Sequence, residues 1–418
     1  MQKKTRLEQL TNSQSQEDVK VMTDSEKIKM WIDYGQSVLL VGPSGIGKTQ
    51  RLTDMYGDRV IFLKLTNNML PEKVVGSTNM ETGQDIPPNF VKQIILMCAT
   101  EEEKKLINDN IQTIYDIADK IYERSSKDDE KIILLLDELL NVKPSVQSLV
   151  YSIVLNKRVE IGKGIKLPKN VVVVATGNPK KYSLSAEDLA EPLQKRFDHI
   201  LNMEPKVSDW IYDYAIPNSL NPTVIGYILT KFNEAGRSDN LRDISYFYEE
   251  PEVGEDNLDK FGQRGKTNDP RSWESISMML YNFEEQARQG YFEGKDIEDA
   301  LKTSLKTKLR DEWAEEFFNF YNIPTLTVSD ILTHNYTSDD LPKDIDQMFA
   351  LTSSLLSAKN NELQVCRQFI LNHCGGEYLA VFDMNWCGND EDKMIFIEDL
   401  PELDYNYQVK VEKNGKSR

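Results

Sequence analysis

The sequence predicts an α/β protein: a three-layer αβα core around a parallel sheet in the first half, then a mostly helical second half. Three observations carry this. The runs Ile132–Leu136 and Val171–Ala175 have no polar interruption, as strands covered on both faces require. Val38–Val41 is a third apolar run, and it ends at once in a glycine-bracketed loop. Beyond about residue 201, apolar residues recur at helical spacing instead.

Composition bounds the rest. A chain of 418 residues has room for two or three domains. It carries 50 Lys+Arg against 68 Asp+Glu, a net charge of −18. So acidic a surface repels a polyanion, which disfavours sequence-independent nucleic-acid binding. No apolar run approaches the roughly eighteen residues of a membrane span, and the polar N-terminus shows no secretory pattern. A cytoplasmic protein is expected. Its few cysteines (Cys98, Cys366, Cys374, Cys387) suit a reducing compartment. Three of them cluster with His373, yet their spacing matches no familiar zinc pairing, so buried free thiols are expected.

Taken in order, residues 1–23 read as a polar lead-in. Asp24-Ser25-Glu26 opens a short helix that ends near Gly35. The strand Val38–Val41 then meets Gly42-Pro43-Ser44-Gly45-Ile46-Gly47-Lys48-Thr49. This is G-x-x-x-x-G-K-[ST] between a strand and a helix, the context in which such a loop cradles phosphate. Gly42 and Gly47 permit the tight turn, Lys48 supplies a charge for the β- and γ-phosphates, and Thr49 a hydroxyl for Mg²⁺. The bland reading is a chance glycine-rich turn; the flanking strand argues against it.

Arg59–Leu65 reads as a second strand, and Leu70–Phe90, rich in Gly and Pro, as an insertion. Helical periodicity resumes over Val91–Cys98 and Glu101–Ser125. The buried strand Ile132–Leu136 closes on Asp137-Glu138, at the end where open α/β sheets bind ligands. Asp137 is placed to hold Mg²⁺ and Glu138 to polarise an attacking water. The alternative is an acidic pair favoured by a helix dipole. A helix over Lys143–Leu155 and a hairpin turning at Gly162-Lys163-Gly164 follow. Val171–Thr176 is the next strand, tipped by Gly177-Asn178-Pro179. Asn178 offers an amide to a γ-phosphate or the lytic water; Asn-Pro is also an ordinary turn starter. A helix around Glu187–Gln194 leads to Lys195-Arg196-Phe197.

The order of these parts resembles the AAA+ ATPases, and in detail their MoxR-type branch. The marks are the insertion Leu70–Phe90, Asp137-Glu138-Leu139-Leu140-Asn141, Ala175-Thr176-Gly177-Asn178-Pro179 and Lys195-Arg196-Phe197. The resemblance covers about Ser25 to Gln286. It implies a P-loop NTPase core over 24–205, a helical lid over 206–295 and a C-terminal extension over 296–418. It implies ATP and Mg²⁺ as cofactors and a ring, hexameric by analogy. Arg196 would act as a finger on a neighbour's ATP, a surface salt bridge being the ordinary alternative. Arg271, in Asp269-Pro270-Arg271, would be a second sensor of the γ-phosphate. The implied partner is a protein client, in the family often a von Willebrand factor A-domain protein. Ile32 and Tyr34 are candidates for adenine contact.

Past Leu201, Trp210, Ile211, Tyr214, Ile225, Ile228 and Leu229 read as core, Glu249–Asp269 as an exposed acidic loop. The aromatic stripe Trp313, Phe317, Phe318, Phe320, Tyr321 also reads as core. Asn361–Asp390 mixes helix-like and strand-like character. Other readings are a nucleic-acid motor, a nucleotide-gated scaffold and a GTPase. The last lacks its N-K-x-D signature, since Asn156-Lys157-Arg158-Val159 has no Asp.

Overall fold

Alternation along the strands sorts the first core into two faces. The computed structural model describes residues 22–181, 186–250, 268–388, 390–401 and 403. Most of the polar lead-in, residues 251–267 of the acidic loop and the tail 410–418 lie outside them. The chain divides into two units at Glu204/Pro205.

In the first unit, α1 (Asp24–Asp33) leads into β1 (Val38–Val41), α2 (Lys48–Tyr56) and β2 (Val60–Lys64). The insertion holds α3 (Glu72–Val75) and the two-residue strands β3 (Ser77–Thr78) and β4 (Asp85–Ile86), paired antiparallel. Then come α4 (Asn89–Cys98), α5 (Glu101–Asp109), α6 (Ile114–Arg124) and β5 (Ile132–Asp137). After α7 (Pro144–Gln147) and α8 (Tyr151–Asn156), the hairpin β6 (Arg158–Val159) and β7 (Ile165–Lys166) precedes β8 (Val171–Gly177). The short α9 (Glu191–Gln194) and β9 (His199–Asn202) close the unit.

The main sheet has the order β2-β5-β8-β1-β9 and is parallel throughout. One face sends Leu39, Leu134, Leu136, Val171, Val173 and Ala175 into a core with α4 and α6. The other sends Val38, Leu40, Ile133, Leu135, Val172 and Val174 against Ile28, Ile32, Leu52 and Tyr56 of α1 and α2. The αβα fold class is therefore as expected: period-2 strands with no solvent face must be covered twice. Each fully buried Leu or Ile contributes about 1.5–3 kcal/mol.

The helical segments are more broken than their periodicity suggests. Glu101–Ser125 is two helices, because Asn110 is extended and its side chain accepts from the Gln112 N–H, starting a 3₁₀ turn. Lys143–Leu155 is split by a 3₁₀ turn over Ser148–Val150. Of Glu187–Gln194, only Glu191–Gln194 is helical. There the buried Gln147 side chain ties three backbone groups instead, bonding Val142 O, Asp188 O and Ala190 N.

The second unit is helical in its described residues. It runs α10 (Val207–Trp210), a π-turn, α11 (Pro222–Glu234), α12 (Pro270–Arg288), α13 (Ile297–Lys306) and α14 (Asp311–Tyr321). It continues α15 (Val328–Thr333), α16 (Ile345–Ser354), α17 (Asn360–His373), α18 (Gly376–Cys387) and α19 (Glu391–Glu398). Trp273, Tyr227 and Phe317 are fully buried and pack ring against ring, with centroids 5.2–5.6 Å apart. Phe318 and Phe320 are buried too, as the stripe predicts. Gly226 lets α11 press onto α16, since a Cβ there would lie 2.6 Å from Ser353 Oγ. Asn361–Asp390, of mixed character in sequence, holds helices α17 and α18, and its best apolar run, Tyr378–Phe382, is inside α18. An apolar run buried on several sides has no period to distinguish helix from strand. All four cysteines are free, and the described residues hold no cluster of three or more potential metal-ligating His, Cys, Asp or Glu side chains. No described helix is long and apolar enough to cross a membrane.

Candidate active site

The site gathers at the C-terminal ends of β1, β5 and β8. Leaving β1, the chain turns through Gly42–Gly47, with Gly45 (φ +86°) and Gly47 (φ +81°) in the left-handed region that only glycine enters without strain. Gly42 is needed for a different reason. A Cβ there would sit 2.5 Å from the backbone oxygen of Met203, which is hydrogen-bonded to β1 through its N–H. Ile46 packs into the α1–α2 face and anchors the loop, while Ser44 is exposed. The nine-residue α2 opens at Lys48 directly after the loop, which puts the positive end of its dipole beside the loop.

Lys48 is buried and its ammonium is turned onto the loop. Nζ donates to Gly42 O (2.8 Å), Pro43 O (2.6 Å) and Asn178 Oδ1 (2.9 Å). Three neutral acceptors so placed hold a cation where an anion would be received. Asn178, at the tip of β8, is thereby in direct contact with the phosphate loop.

Asp137 ends β5 with its main-chain oxygen accepting from the Leu65 N–H. Its Oδ1 accepts from Thr176 Oγ1 (2.6 Å) and lies 3.4 Å from Thr49 Oγ1. A carboxylate and a hydroxyl side by side form a hard oxygen donor pair. They fit Mg²⁺, which takes one or two protein ligands and completes its shell with phosphate and water. Glu138 follows in a left-handed conformation (φ +63°, ψ +35°). For a residue other than glycine this costs on the order of 1–3 kcal/mol and needs support from its surroundings. The support is the bond from Glu138 N–H to Thr176 Oγ1 (3.1 Å). The Glu138 carboxylate, 40% exposed, has Lys64 Nζ at 3.6 Å.

Gly177 allows β8 to come close on two sides. A Cβ would meet the Leu140 side chain at 2.4 Å, and its carbonyl accepts from the Gly42 N–H at 3.1 Å. Gly42–Thr49, Asp137, Glu138 and Asn178 thus form one constellation.

Arg196 stands elsewhere. The neighbouring Phe197 is in the core, and Asp198 Oδ2 accepts from Ser37 N–H and Oγ (2.7 and 2.8 Å). Ser37 precedes β1 and Gly42 follows it, so Arg196 is anchored at the opposite end of the strand from its own phosphate loop. Roughly 16 Å of strand, at ~3.3 Å per residue, separates the two ends. The half-buried guanidinium lies over the Tyr151 ring, 4.5 Å from its centroid. Arg271 belongs to the second unit, exposed on the first turn of α12. Of the adenine candidates, Ile32 is fully buried in the core and Tyr34 is 73% exposed.

Sequence reasoning gave no role to Thr176, Lys64 or Tyr151. Thr176 leaves a trace, as the one hydroxyl in an otherwise apolar buried strand. Lys64 and Tyr151 leave none, because their contacts come from the register of β2 on β5 and from the approach of α8 to Arg196.

Residues 37–197 match the family model described as the AAA domain of the dynein-related subfamily. The matched stretch takes in the phosphate loop, both strand tips and Arg196. No curated protein matches the chain. One solved structure with similarity is from Cytophaga hutchinsonii ATCC 33406 and is described, provisionally, as an ATPase. It is 16% identical over 52% of this chain and 66% of that one, at a TM-score of 0.29, which does not establish a shared overall fold.

Proposed function

We propose that the AAA domain over residues 37–197 hydrolyses ATP at this site, and that the chain acts as a MoxR-type AAA+ ATPase in a ring. The observation that carries the reading is the bonding of Asn178, the tip of β8, to Lys48 of the phosphate loop, with the Asp137–Thr49 oxygen pair beside it. Gly42, Pro43, Ser44, Gly45, Ile46 and Gly47 cradle the phosphates of ATP through backbone N–H groups, and Lys48 exchanges its carbonyl partners for phosphate oxygens. Thr49 and Asp137 would hold Mg²⁺, which when bound neutralises charge on the β- and γ-phosphate oxygens. Glu138 orients and polarises the water that attacks the γ-phosphorus. The bond to the β–γ bridging oxygen breaks, ADP leaves, and the water's proton passes to Glu138 or to solvent. Asn178 orients that water or the γ-phosphate.

Arg196 completes the site of a neighbouring protomer, which its anchorage far from its own phosphate loop supports. Fingers of this kind are worth about 10³–10⁵ in rate in GTPases, so isolated protomers turn over slowly. Arg271 serves as a second sensor. Turnover coupled to motion of the helical unit remodels a protein client, with a von Willebrand factor A-domain protein as the family's usual partner. A nucleic-acid motor is the second reading, opposed by the −18 charge.

The test is ATP binding by the Lys48→Ala protein. Loss of binding is expected; retained binding removes the cradle. A pull-down with Glu138→Gln protein and ATP, which should bind without hydrolysing, is expected to retain the client. Full function in that variant would favour a nucleotide-gated scaffold.

A further inference from the structure

We propose that Thr176 is a positioning residue for catalysis, setting both acidic side chains of the site through one buried hydroxyl. The proposal rests on the ATPase reading above. Thr176 is 2% exposed, within β8, where the neighbouring strand residues are apolar. A threonine in such a strand needs a partner for its hydroxyl, and this one faces β5. Its single hydrogen goes to Asp137 Oδ1 at 2.6 Å, and its lone pair receives the Glu138 N–H at 3.1 Å.

The two bonds act on different things. The first fixes the rotation of the Asp137 carboxylate: the contacts from Thr176 and from Thr49 both fall on Oδ1. The second pins the left-handed backbone of Glu138, and therefore the direction in which its side chain leaves the strand. Because the hydroxyl donates to one and accepts from the other, the chain N–H···O–H···O⁻ polarises along its length. The next two residues extend the same strand tip to the phosphate loop, Gly177 O accepting from Gly42 N–H and Asn178 bonding Lys48. Three consecutive residues, the last two of β8 and Asn178 just beyond it, thus touch the acidic pair, the loop backbone and the loop lysine. Thr176 is the member of this set that touches no phosphate-binding group.

The test uses the full-length chain with Thr176→Val, which keeps the size and removes the hydroxyl, and Thr176→Ser, which keeps the hydroxyl. A fluorescent ATP analogue reports nucleotide binding without Mg²⁺, then the Mg²⁺ concentration at half-saturation; turnover is measured in parallel. Thr176→Val is expected to bind the Mg²⁺-free analogue like the unaltered protein. Its Mg²⁺ half-saturation should rise and its kcat fall, each by about 10–100-fold, as for loss of a group supporting a metal ligand. Thr176→Ser is expected to restore both. If thermal melting shows Thr176→Val unfolded, Thr176→Ala takes its place in the same measurements. Unchanged Mg²⁺ dependence and kcat in the hydroxyl-free protein overturn the proposal. So does a Thr176→Ser protein as impaired as Thr176→Val. Undiminished analogue binding by Lys48→Ala would instead overturn the ATPase reading.

Discussion

Lys48 and Gly42 show how narrowly single residues define the site. The ammonium of Lys48 sits among three oxygen acceptors, two of them carbonyls of the loop itself. Gly42 has no room for one added carbon. Gly42→Ala must displace the Met203 backbone or the loop, and overpacking of this kind costs about 1–3 kcal/mol. A lowered melting temperature and weakened ATP binding are expected; a variant that melts and binds as before would contradict the close contact. Most of these residues are legible in the sequence because the loop motif fixes residue types at fixed offsets. Thr176 is not. Its role depends on the parallel register that sets Leu136 beside Ala175, which no local pattern encodes.

Among the elements, the buried strands are legible and the helix boundaries are not. Ile132–Leu136 and Val171–Ala175 announce themselves because nothing polar interrupts them. The break at Asn110 depends on one side chain choosing a turn over a helix. The capping box that starts α5 at Thr100 makes the point testable. Its Glu103 also meets Arg124 at 2.7 and 2.8 Å, and Arg124 in turn caps Cys98 O at the end of α4. The Arg124 hydrogen bonds hold the Glu103 carboxyl down at about 2, against an ordinary value of about 4.3. A depressed carboxylate stabilises the fold fully above its unfolded value, and that contribution fades as pH falls from about 4.3 towards 2. In Arg124→Ala, NMR titration should find Glu103 moved up towards its ordinary range, with the Thr100 N–H bond still holding it lower; a titration midpoint still near 2 would show that Arg124 is not the main cause. In the second unit, Arg367 of α17 makes two 2.8 Å bonds to Asp383 of α18. Arg367→Ala leaves Asp383, 20% exposed, without that partner. The cost should fall somewhat below the ~3–5 kcal/mol of a fully buried pair. Denaturant unfolding measures it, and a change within error would make the pair dispensable.

At the scale of the whole molecule, the fold class follows from strand burial, whereas assembly and client rest on the proposed function. In the proposed ring, the anchoring of Arg196 at the far end of β1 would make the site of one protomer depend on another. On that proposal, Lys48→Ala should bind no ATP while keeping an intact Arg196, and Arg196→Ala should bind ATP while offering no finger. Mixed, these two inactive proteins should regain part of the ATPase rate, and failure of every mixing ratio to do so would place the finger elsewhere. The site itself is tested most directly by measuring ATP binding and ATP turnover on the same Glu138→Gln protein. Binding as in the unaltered protein, with turnover reduced by about 10²–10⁴, is the predicted result. Undiminished turnover would contradict it.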